Sequence, residues 1–492
     1  MFSPHKTENV HECLNFIAGQ WQLPELKLGN ILSPFTGQVI ANTYRSTQHS
    51  IQQAVDFAKS SQKEWEKYSY RDRASIFLNF RNWLLENSAT IAQVISNECG
   101  KLPQEARDGL LKGVEILDYA IAMQNNDPLS KMTVSKGIQC EYRREPLGVV
   151  AGITPSNFPA MVPMWMFPIA IMVGNSFIWK PSEKTAMTSQ LLAQGFKDSG
   201  LPDGILNVIQ GDKETVDLLC AHDDIKAIAF VGSTPVAKHV YATATSFGKR
   251  ALTLGGAKNH IFLMPDAADA FAVEGILSSF TGCCGQRCMA ASVLLAIGDC
   301  DKIITDIVNK AKNFIPTKDI GAIISKQSLE KVQLAIEKAH KNGAQIILDG
   351  RNPKVDAQFA NGNWLNPTII DKVSPQSFIA KEELFAPVLS IIRCNTIEEA
   401  MKIENANPYG NAASVFTSRG DIAEFVTLNA KAGMIGINVG IPVPREPFSF
   451  GGINQSKFGH GDITSDGGVE FWSNRKKVTT KWFQLANQNW MS

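Results

Sequence analysis

The spacing of apolar residues changes along the chain, from long helical periods in the first quarter to short apolar runs afterwards. Over residues 71–99, apolar side chains recur every three to four positions, which predicts an amphipathic helix. The same pattern predicts helices over 50–68 and 104–123. After Glu145, short apolar runs alternate with amphipathic stretches. That alternation is typical of a parallel sheet with helices on both faces, so the predicted fold class is α/β.

The predicted strands cover residues 138–143, 147–153, 176–180, 206–210, 227–231, 261–264, 293–297, 346–348, 387–393, 413–417 and 434–438. The later predicted helices cover 186–199, 215–221, a segment from Pro235, 268–282, 303–314, 328–342, 397–406 and 422–428. The run from Phe158 to Trp179 has no charged residue and is long enough to span a bilayer. Because three prolines and a Gly-Asn pair interrupt it, we predict a loop, a buried helix and a buried strand instead.

Composition excludes several classes of partner. The chain has 492 residues with 48 Lys and Arg and 47 Asp and Glu, for a net charge of +1. With no block of like charges, neither a nucleic-acid partner nor a membrane surface is indicated. Nine cysteines are present without a CxxC pair, and the N-terminus shows no apolar core of signal-peptide type. We therefore expect a cytoplasmic protein with free thiols and no metal site.

One cysteine has neighbours suited to nucleophilic chemistry. Cys288 lies in Gly285-Gln-Arg-Cys-Met-Ala290, where small residues leave room for a substrate at the sulfur. The adjacent Arg287 can favour the thiolate, which is the form that attacks carbonyls. A cysteine with a packing role only is the alternative. Cys283 and Cys284 raise a further hypothesis, disulfide formation with Cys288 under oxidation.

Two turns next to predicted strands carry groups that can bind a ligand. Thr154-Pro-Ser-Asn-Phe-Pro159 holds one side-chain amide, Asn157, which can donate to an alkoxide as it develops in a reaction. In Val231-Gly-Ser-Thr-Pro235, a glycine turn and a hydroxyl precede a proline at the helix start, an arrangement that suits a phosphate. The alternatives are a turn asparagine bonding its own backbone and a helix cap with a purely structural role.

Two charged segments adjoin apolar strands. Lys180-Pro-Ser-Glu183 directly follows a buried strand, and the carboxyl end of a parallel strand borders a ligand crevice. A carboxylate there can accept both hydroxyls of an adenosine ribose, which favours NAD over a 2′-phosphorylated cofactor. Glu382-Glu-Leu-Phe-Ala-Pro387 places two carboxylates before the strand predicted over 387–393. A charged surface turn is the alternative for the first segment, and helix-end charge for the second.

Taken together, these segments resemble the aldehyde dehydrogenase superfamily over nearly the whole chain. The resemblance implies that Cys288 is the catalytic nucleophile and that Asn157 donates to the oxyanion. It implies NAD-binding positions at Ile153, Thr154, Lys180, Glu183, Gly232, Ser233, Glu383 and Phe385. It also implies a homo-oligomer, either a dimer or a tetramer.

The resemblance further implies three structural units. A Rossmann-like NAD-binding domain is expected over 1–123 and 145–253, and an α/β catalytic domain over 254–440. A small β oligomerisation arm is expected over 124–144 and 469–492. Its tail, including Lys476-Lys-Val-Thr-Thr-Lys-Trp482, is predicted as an exposed strand that pairs with another subunit, and an ordinary edge strand is the alternative.

One position departs from the family pattern. Most members have a glutamate two residues before a Gly-Gly pair, where it activates the water that hydrolyses the acyl-enzyme, and here that position is Thr253. A threonine hydroxyl is no general base near neutral pH, whereas a thiol acceptor needs little activation. In residues 157–168, in Gly256-Ala-Lys-Asn-His260 and in Gly285-Gln-Arg-Cys-Met-Ala290, the chain is similar to the CoA-acylating methylmalonate-semialdehyde dehydrogenases. This implies NAD-dependent oxidation of a small aldehyde or semialdehyde, with CoA as the acyl acceptor.

In that branch, two arginines bind the carboxylate of the substrate, which implies that Arg287 and Lys112 are substrate-binding residues. Lys112 stands where the branch has arginine, and lysine keeps the charge without the bidentate geometry. Structural ion pairs are the alternative role for both residues. The alternative function is a hydrolytic NAD-dependent aldehyde dehydrogenase that uses Glu383 or Glu382 as its base and releases a free carboxylic acid. A binding protein without turnover is a further alternative.

Overall fold

The computed structural model describes residues 10–125 and 131–482. Residues 1–9, 126–130 and 483–492, which belong to the predicted NAD-binding domain and arm, lie outside the described residues. All nine cysteines lie in the described part and are free thiols. In the described ranges, no helix is both long enough and apolar enough to cross a membrane.

The helices of the described part are α1 (Gln48–Trp65), α2 (Tyr70–Glu86), α3 (Ser88–Cys99), α4 (Pro103–Ala122), α5 (Met161–Met172), α6 (Met187–Asp198), α7 (Lys213–Ala221), α8 (Thr234–Ser246), α9 (Asp269–Thr281), α10 (Asp301–Ala311), α11 (Lys326–Lys341), α12 (Phe378–Lys381), α13 (Ile397–Asn405), α14 (Gly420–Asn429) and α15 (Ser465–Trp472). The single helix predicted over 71–99 is wrong, because Asn87 ends α2 and begins α3. Its side-chain amide donates to the Trp83 carbonyl at 2.8 Å, which satisfies a helix-end acceptor.

The strands are β1 (His11–Glu12), β2 (Asn15–Ile17), β3 (Gln20–Gln22), β4 (Leu26–Leu32), β5 (Val39–Arg45), β6 (Lys131–Ser135), β7 (Ile138–Pro146), β8 (Val149–Ile153), β9 (Ser176–Lys180), β10 (Leu206–Val208), β11 (Ile225–Val231), β12 (Arg250–Leu254), β13 (Asn259–Leu263), β14 (Ala291–Ile297), β15 (Gln345–Leu348), β16 (Thr368–Asp371), β17 (Val388–Cys394), β18 (Ala412–Phe416), β19 (Met434–Ile437), β20 (Lys457–Phe458) and β21 (Ser473–Lys481). The apolar pattern does not predict β1 to β5: β1, β2 and β3 have only two or three residues and β4 is largely exposed, while β5 mixes polar and apolar residues without a continuous apolar run.

The first large sheet has eight strands in the order β20-β12-β11-β8-β9-β10-β2-β3. Its five central strands, β12 to β10, are parallel to one another. Every residue of β8 and β9 is buried, as expected for strands covered by helices on both faces. The charge-free run from Phe158 to Trp179 forms a turn, the buried helix α5 and the start of β9, as the sequence predicts.

The second large sheet has seven strands in the order β15-β16-β17-β14-β13-β18-β19. Every neighbouring pair is parallel except β15 and β16, which run antiparallel at one edge. Helices α9 and α13 each pack against strands β14 and β17. The parallel strands therefore all begin at one edge of the sheet, and this edge carries the groups that precede them in the sequence.

Two small three-stranded sheets complete the described part, β1-β5-β4 and β21-β7-β6. In the second, β21 pairs antiparallel with β7 from Ser473 opposite Pro146 to Lys481 opposite Ile138. The prediction of a strand starting at Val469 is wrong for residues 469–472, which complete α15. Their apolar side chains are buried at helical spacing and pack toward α5.

Candidate active site

The candidate site lies between the carboxyl ends of strands β8, β9 and β11 and the amino ends of β13, β14 and β17. The first sheet contributes the loops that follow its parallel strands, and Asn157 and Gly232 lie in two of these loops. The second sheet contributes residues that precede its strands, among them Cys288 and Glu383. Facing strand ends gather polar groups from distant parts of the chain into one crevice.

Cys288 is held by two asparagines through its backbone. The side-chain amides of Asn259 and Asn411 donate to the Cys288 carbonyl at 2.8 and 3.0 Å. Neither residue was predicted to act at the site, although Asn259 belongs to the Gly256–His260 segment that resembles the family motif. These bonds fix the cysteine just before β14.

The thiol form of Cys288 is favoured in this structure. Burial, together with the nearby Glu383 carboxylate, raises the pKa of Cys288 to about 12, although Lys101 acts in the opposite direction. The Arg287 guanidinium bonds the Cys283 thiol and faces Glu105, and Cys288 also contributes to the raised pKa of Arg287. Cys283 and Cys288 line the same cavity.

Asn157 lies in the turn after β8 and is nearly buried. Its Nδ2 donates one hydrogen bond to the Gln286 carbonyl at 3.0 Å. Gln286 is fixed in turn, since its side chain donates to Ala322 and accepts from the Ile324 N–H. An amide NH₂ carries two hydrogens, so Asn157 keeps a second donor for a ligand in the cavity that it shares with Cys288.

Two adjoining cavities form a continuous groove. One, of about 310 Å³, is lined by Asn157, Cys288, Glu383 and Phe385 among others. The other, of about 680 Å³, holds the remaining predicted cofactor positions Ile153, Thr154, Lys180 and Glu183. Both are lined by Gly232 and Ser233, which therefore stand where the cavities join. The structure thus brings all eight predicted cofactor residues to one groove.

The larger cavity of this groove lies at the carboxyl ends of strands β8 and β9. The Lys180 ammonium lies 3.4 Å from the Glu183 carboxylate, and burial lowers the pKa of Lys180. The Thr154 hydroxyl accepts from the Trp179 indole N–H at 2.8 Å. Lys180 is buried while the Glu183 side chain is 40% exposed, so this carboxylate is open to a ligand.

The middle of the groove is shaped by the start of α8. A Cβ at Gly232 would lie 2.5 Å from the Phe230 ring, so a larger residue in this turn would have to displace that ring. Ser233 caps α8 through its backbone conformation, and its hydroxyl makes no capping bond to the helix in the described structure. Pro235 and Val236 of α8 line the groove, and N–H groups in the first turn of a helix suit an anion.

Glu383 lies in the smaller cavity of the groove, which Cys288 also lines. Its Oε1 accepts from the Ala257 N–H at 3.0 Å. Burial raises the pKa of Glu383 to about 7, while Lys258 lowers it. Phe385 follows with φ of +56°, in the left-handed region of backbone conformation. The chain then enters β17 of the second large sheet at Val388.

The family model for the aldehyde dehydrogenase family matches residues 21–478 of the chain. The chain belongs to the aldehyde dehydrogenase family. Its fold is the aldehyde dehydrogenase fold. The structure of a methylmalonate-semialdehyde dehydrogenase from Oceanimonas doudoroffii superposes with a TM-score of 0.94 at 37% identity, covering 97% of this chain and 99% of that one.

Relatives of known assignment agree with this family. A malonate-semialdehyde dehydrogenase of Pseudomonas aeruginosa is 39% identical over 488 residues, 97% of each chain. A Dictyostelium discoideum protein assigned as an acylating methylmalonate-semialdehyde/malonate-semialdehyde dehydrogenase is 36% identical over 461 residues, 92% of this chain and 87% of that one. A Sinorhizobium meliloti 1021 protein assigned as a methylmalonate-semialdehyde dehydrogenase, solved with NAD, gives a TM-score of 0.94 at 35% identity, covering 97% and 99%.

A third cavity also adjoins Cys288 in this aldehyde dehydrogenase fold. It measures about 250 Å³, and Cys288 and Phe158 line both this cavity and the groove. Arg287 and Lys112, the two predicted substrate-binding residues, also line it. Each is already opposite a carboxylate of the chain. The Lys112 ammonium lies 2.6 Å from Glu115, and the Arg287 guanidinium lies 3.9 Å from Glu105.

Thr253 occupies the position at which the family resemblance implies a water-activating glutamate in most members. It is fully buried in β12, and its hydroxyl donates to the Ala237 carbonyl at 2.9 Å. A hydroxyl occupied in this way offers no base to a water molecule at Cys288.

Proposed function

We propose that the chain oxidises a small aldehyde or semialdehyde with NAD and transfers the acyl group from Cys288 to CoA. The observation that carries this proposal is the position of Cys288 at the junction of two cavities. One cavity extends along the groove with the cofactor positions, and the other, the substrate chamber, is a separate cavity of about 250 Å³. A nucleophile with a cofactor site on one side and a substrate chamber on the other suits hydride transfer from a bound aldehyde.

The proposed steps use few side chains. The Cys288 thiolate attacks the aldehyde carbon, and the Asn157 amide and the Cys288 backbone N–H hold the resulting oxyanion. NAD, when bound, accepts the hydride that leaves this carbon, so that a thioester remains on Cys288. The thiolate of CoA then attacks the thioester carbonyl and expels the Cys288 thiolate. Arg287 and Lys112 are proposed as walls of the substrate chamber.

Transfer to CoA is supported over hydrolysis by the state of Thr253. Because its hydroxyl is buried and bonded to Ala237, water has no activating base at the usual position. CoA needs less help, since a thiol is already a few per cent thiolate near neutral pH. The relatives assigned as malonate- and methylmalonate-semialdehyde dehydrogenases, one of them acylating, support the same reaction.

The groove fits NAD by the chemistry of its lining. The turn at Gly232 has no room for a Cβ and leads to the N–H groups at the start of α8, which suit a pyrophosphate. Lys180 and Glu183 would bind the adenosine ribose, and Glu383 the nicotinamide ribose. Ile153, Thr154 and Phe385 would form apolar and hydroxyl contacts along the cofactor.

CoA dependence is the direct test of the reaction. NADH formation is measured with propanal, malonate semialdehyde and methylmalonate semialdehyde, each with and without CoA. We expect multiple turnovers with CoA, and without it a rate at least about ten-fold lower after the first equivalent of NADH. Equal turnover without CoA would identify a hydrolytic enzyme, with Glu383 or Glu382 as the candidate base.

Cofactor choice is expected to depend on Glu183. Replacing it with glutamine removes the charge that repels a 2′-phosphate, so the preference for NAD over NADP, measured as the ratio of kcat/KM values, should fall by about ten-fold. Glu424→Gln, which removes an exposed carboxylate from α14, is the matched control and should leave the ratio unchanged. An unchanged ratio in Glu183→Gln would contradict the assigned ribose contact.

Assembly, location and domain division are also part of this proposal. We propose a homo-oligomer, a dimer or tetramer, formed through an arm over 124–144 and 469–492. The exposed edge of β21 supports such pairing. We propose an NAD-binding domain over 1–123 and 145–253 and a catalytic domain over 254–440. The nine free thiols support a cytoplasmic location.

A further inference from the structure

A buried lysine, Lys101, lies in the short connection between α3 and α4. The residue is 2% exposed, and its ammonium lies 3.1 Å from the centroid of the Phe158 ring. The Ser96 hydroxyl fixes the backbone of this lysine by donating to its carbonyl at 2.6 Å. Within the described ranges, the ammonium makes no ion pair and no hydrogen bond. Burying a cation without a carboxylate partner is costly, and the face of one ring offsets only part of that cost.

Hydrogen bonds place this connection beside the loop that carries Cys288. The Gly100 carbonyl accepts from the Ala322 N–H at 2.7 Å, and the Ala322 carbonyl accepts from the Gln286 side chain at 3.1 Å. Gln286 lies two residues before Cys288, and its own carbonyl accepts from the Asn157 amide. The connection, the loop of the nucleophile and the turn of the proposed oxyanion donor are therefore joined by direct hydrogen bonds.

The Phe158 ring brings the ammonium close to both cavities of the site. Phe158 directly follows the proposed oxyanion donor, and it lines the groove and the substrate chamber, as Cys288 does. In surroundings shielded from water, a charge acts over a longer distance than in bulk solvent. Burial and the Glu383 carboxylate raise the pKa of Cys288, and Lys101 lowers it. Burial also raises the pKa of the neighbouring Cys99, and Lys101 lowers that pKa too.

The other cations near Cys288 are either paired or exposed. Arg287 and Lys112, which line the chamber, each face a carboxylate of the chain, as described above. Lys331 lines the groove but is exposed, so that water and salt screen its charge. The remaining titratable groups that line the two cavities carry no positive charge; they are Cys283, Glu105, Asp108, Glu115, Glu383 and Glu446. Lys101 differs from these three cations in being both buried and unpaired.

We propose that Lys101 is a positioning residue of the reaction, whose ammonium stabilises the negative charge that Cys288 carries as a thiolate. The Phe158 ring holds the ammonium in place, and the hydrogen bonds through Ala322 and Gln286 fix the connection relative to the nucleophile. A charge fixed before the reaction does not have to reorganise when the thiolate forms. This proposal rests on the function proposed above for Cys288 and adds a residue that was not predicted to act at the site.

Alkylation of Cys288 by iodoacetamide measures its thiolate without turnover. The thiolate sulfur displaces iodide, and because the reagent is uncharged, Lys101 acts on the rate through the thiol. The full-length enzyme is used without NAD, aldehyde or CoA, and the rate constant is measured over a range of pH around neutrality. Trypsin cleaves after Arg287, so peptide mapping separates Cys288 from Cys283 and Cys284.

Neutral variants at position 101 should slow this alkylation. Lys101→Met and Lys101→Gln are each expected to lower the rate constant for Cys288 by about ten-fold at a given pH, since a rise of one unit in the thiol pKa lowers the thiolate fraction ten-fold. Lys101→Arg keeps the charge and should stay within about three-fold of the unchanged enzyme. The controls are alkylation of Cys140 in the same samples and Lys402→Met, which removes an exposed ammonium from α13, and neither should change.

Two outcomes overturn the proposal. One is unchanged alkylation of Cys288 in folded Lys101→Met or Lys101→Gln, and two neutral side chains of different polarity are used so that the test stands if one variant does not fold. The other is equal slowing in Lys101→Arg, because a loss independent of charge is an effect of packing. Formation of NADH from propanal by the unchanged enzyme tests the proposed function separately, since the alkylation needs neither cofactor nor aldehyde.

Discussion

Replacing Cys288 with serine is expected to abolish NADH formation, with a loss of at least roughly 10⁴-fold in rate. A serine hydroxyl is a far weaker acid than a thiol, and the residues that surround position 288 include no imidazole to take its proton. The measurement is NADH formation in a single turnover with excess enzyme over propanal. This variant should still bind NADH, since no cofactor position is changed.

Two outcomes separate nucleophilic catalysis from a packing role. Cys140→Ser, at a partly exposed thiol on β7, is the control and should retain full activity. A folded Cys288→Ser protein that binds NADH and makes none would agree with the assignment. Retained turnover would remove Cys288 as the nucleophile and would also exclude the thioester on which the CoA step depends.

The local part of this site could be predicted from the sequence. In Val231-Gly-Ser-Thr-Pro235, the strand, turn and helix start all depend on neighbouring residues, and the structure has β11 ending at Val231 and α8 beginning at Thr234. The same holds for Lys180, which directly follows an apolar run, and the structure has it as the last residue of β9. Such motifs were predicted correctly because backbone preference and burial act within a few residues.

The rest of the site depends on contacts between distant residues. Asn411 donates to the Cys288 carbonyl across 123 positions of sequence, and no pattern near Asn411 indicates it. For the same reason, the sequence does not indicate which groups pair with Arg287 and Lys112. Both residues could bind a substrate or a carboxylate of the chain, and only the packed structure shows Glu105 and Glu115 opposite them.

The protonation state of Cys288 also could not be predicted from its neighbours in sequence. Arg287 precedes Cys288, and this adjacency suggested a stabilised thiolate. In the fold, burial and Glu383 instead raise the pKa of Cys288 to about 12. Formation of the Cys288 thiolate therefore needs either a positively charged ligand nearby or a base that takes the proton. The Glu383 carboxyl, whose pKa is raised to about 7, is close enough to affect the pKa of the Cys288 thiol.

Asn157 is the second residue on which the rate should depend strongly. Its side-chain amide donates to the Gln286 backbone carbonyl at 3.0 Å. Gln286 is itself held by two hydrogen bonds, one from the nitrogen and one to the oxygen of its side-chain amide. A donor held in this way does not need to reorganise when the negative charge develops on the carbonyl oxygen. Such preorganisation in a site shielded from water is what makes an oxyanion donor effective.

Asn157→Ala is therefore expected to lower the rate of NADH formation by about 100-fold to 1000-fold, equivalent to roughly 3–4 kcal/mol of transition-state stabilisation. The dissociation constant for NADH should change by less than about three-fold, because the amide is assigned to the oxyanion and not to the cofactor. Pre-steady-state formation of the first NADH equivalent is the measurement, since it precedes any CoA step. Asn309→Ala, at an exposed position on α10, serves as the control. A rate equal to that of the unchanged enzyme would exclude the oxyanion role, and a rate loss matched by weaker NADH binding would assign Asn157 to the cofactor instead.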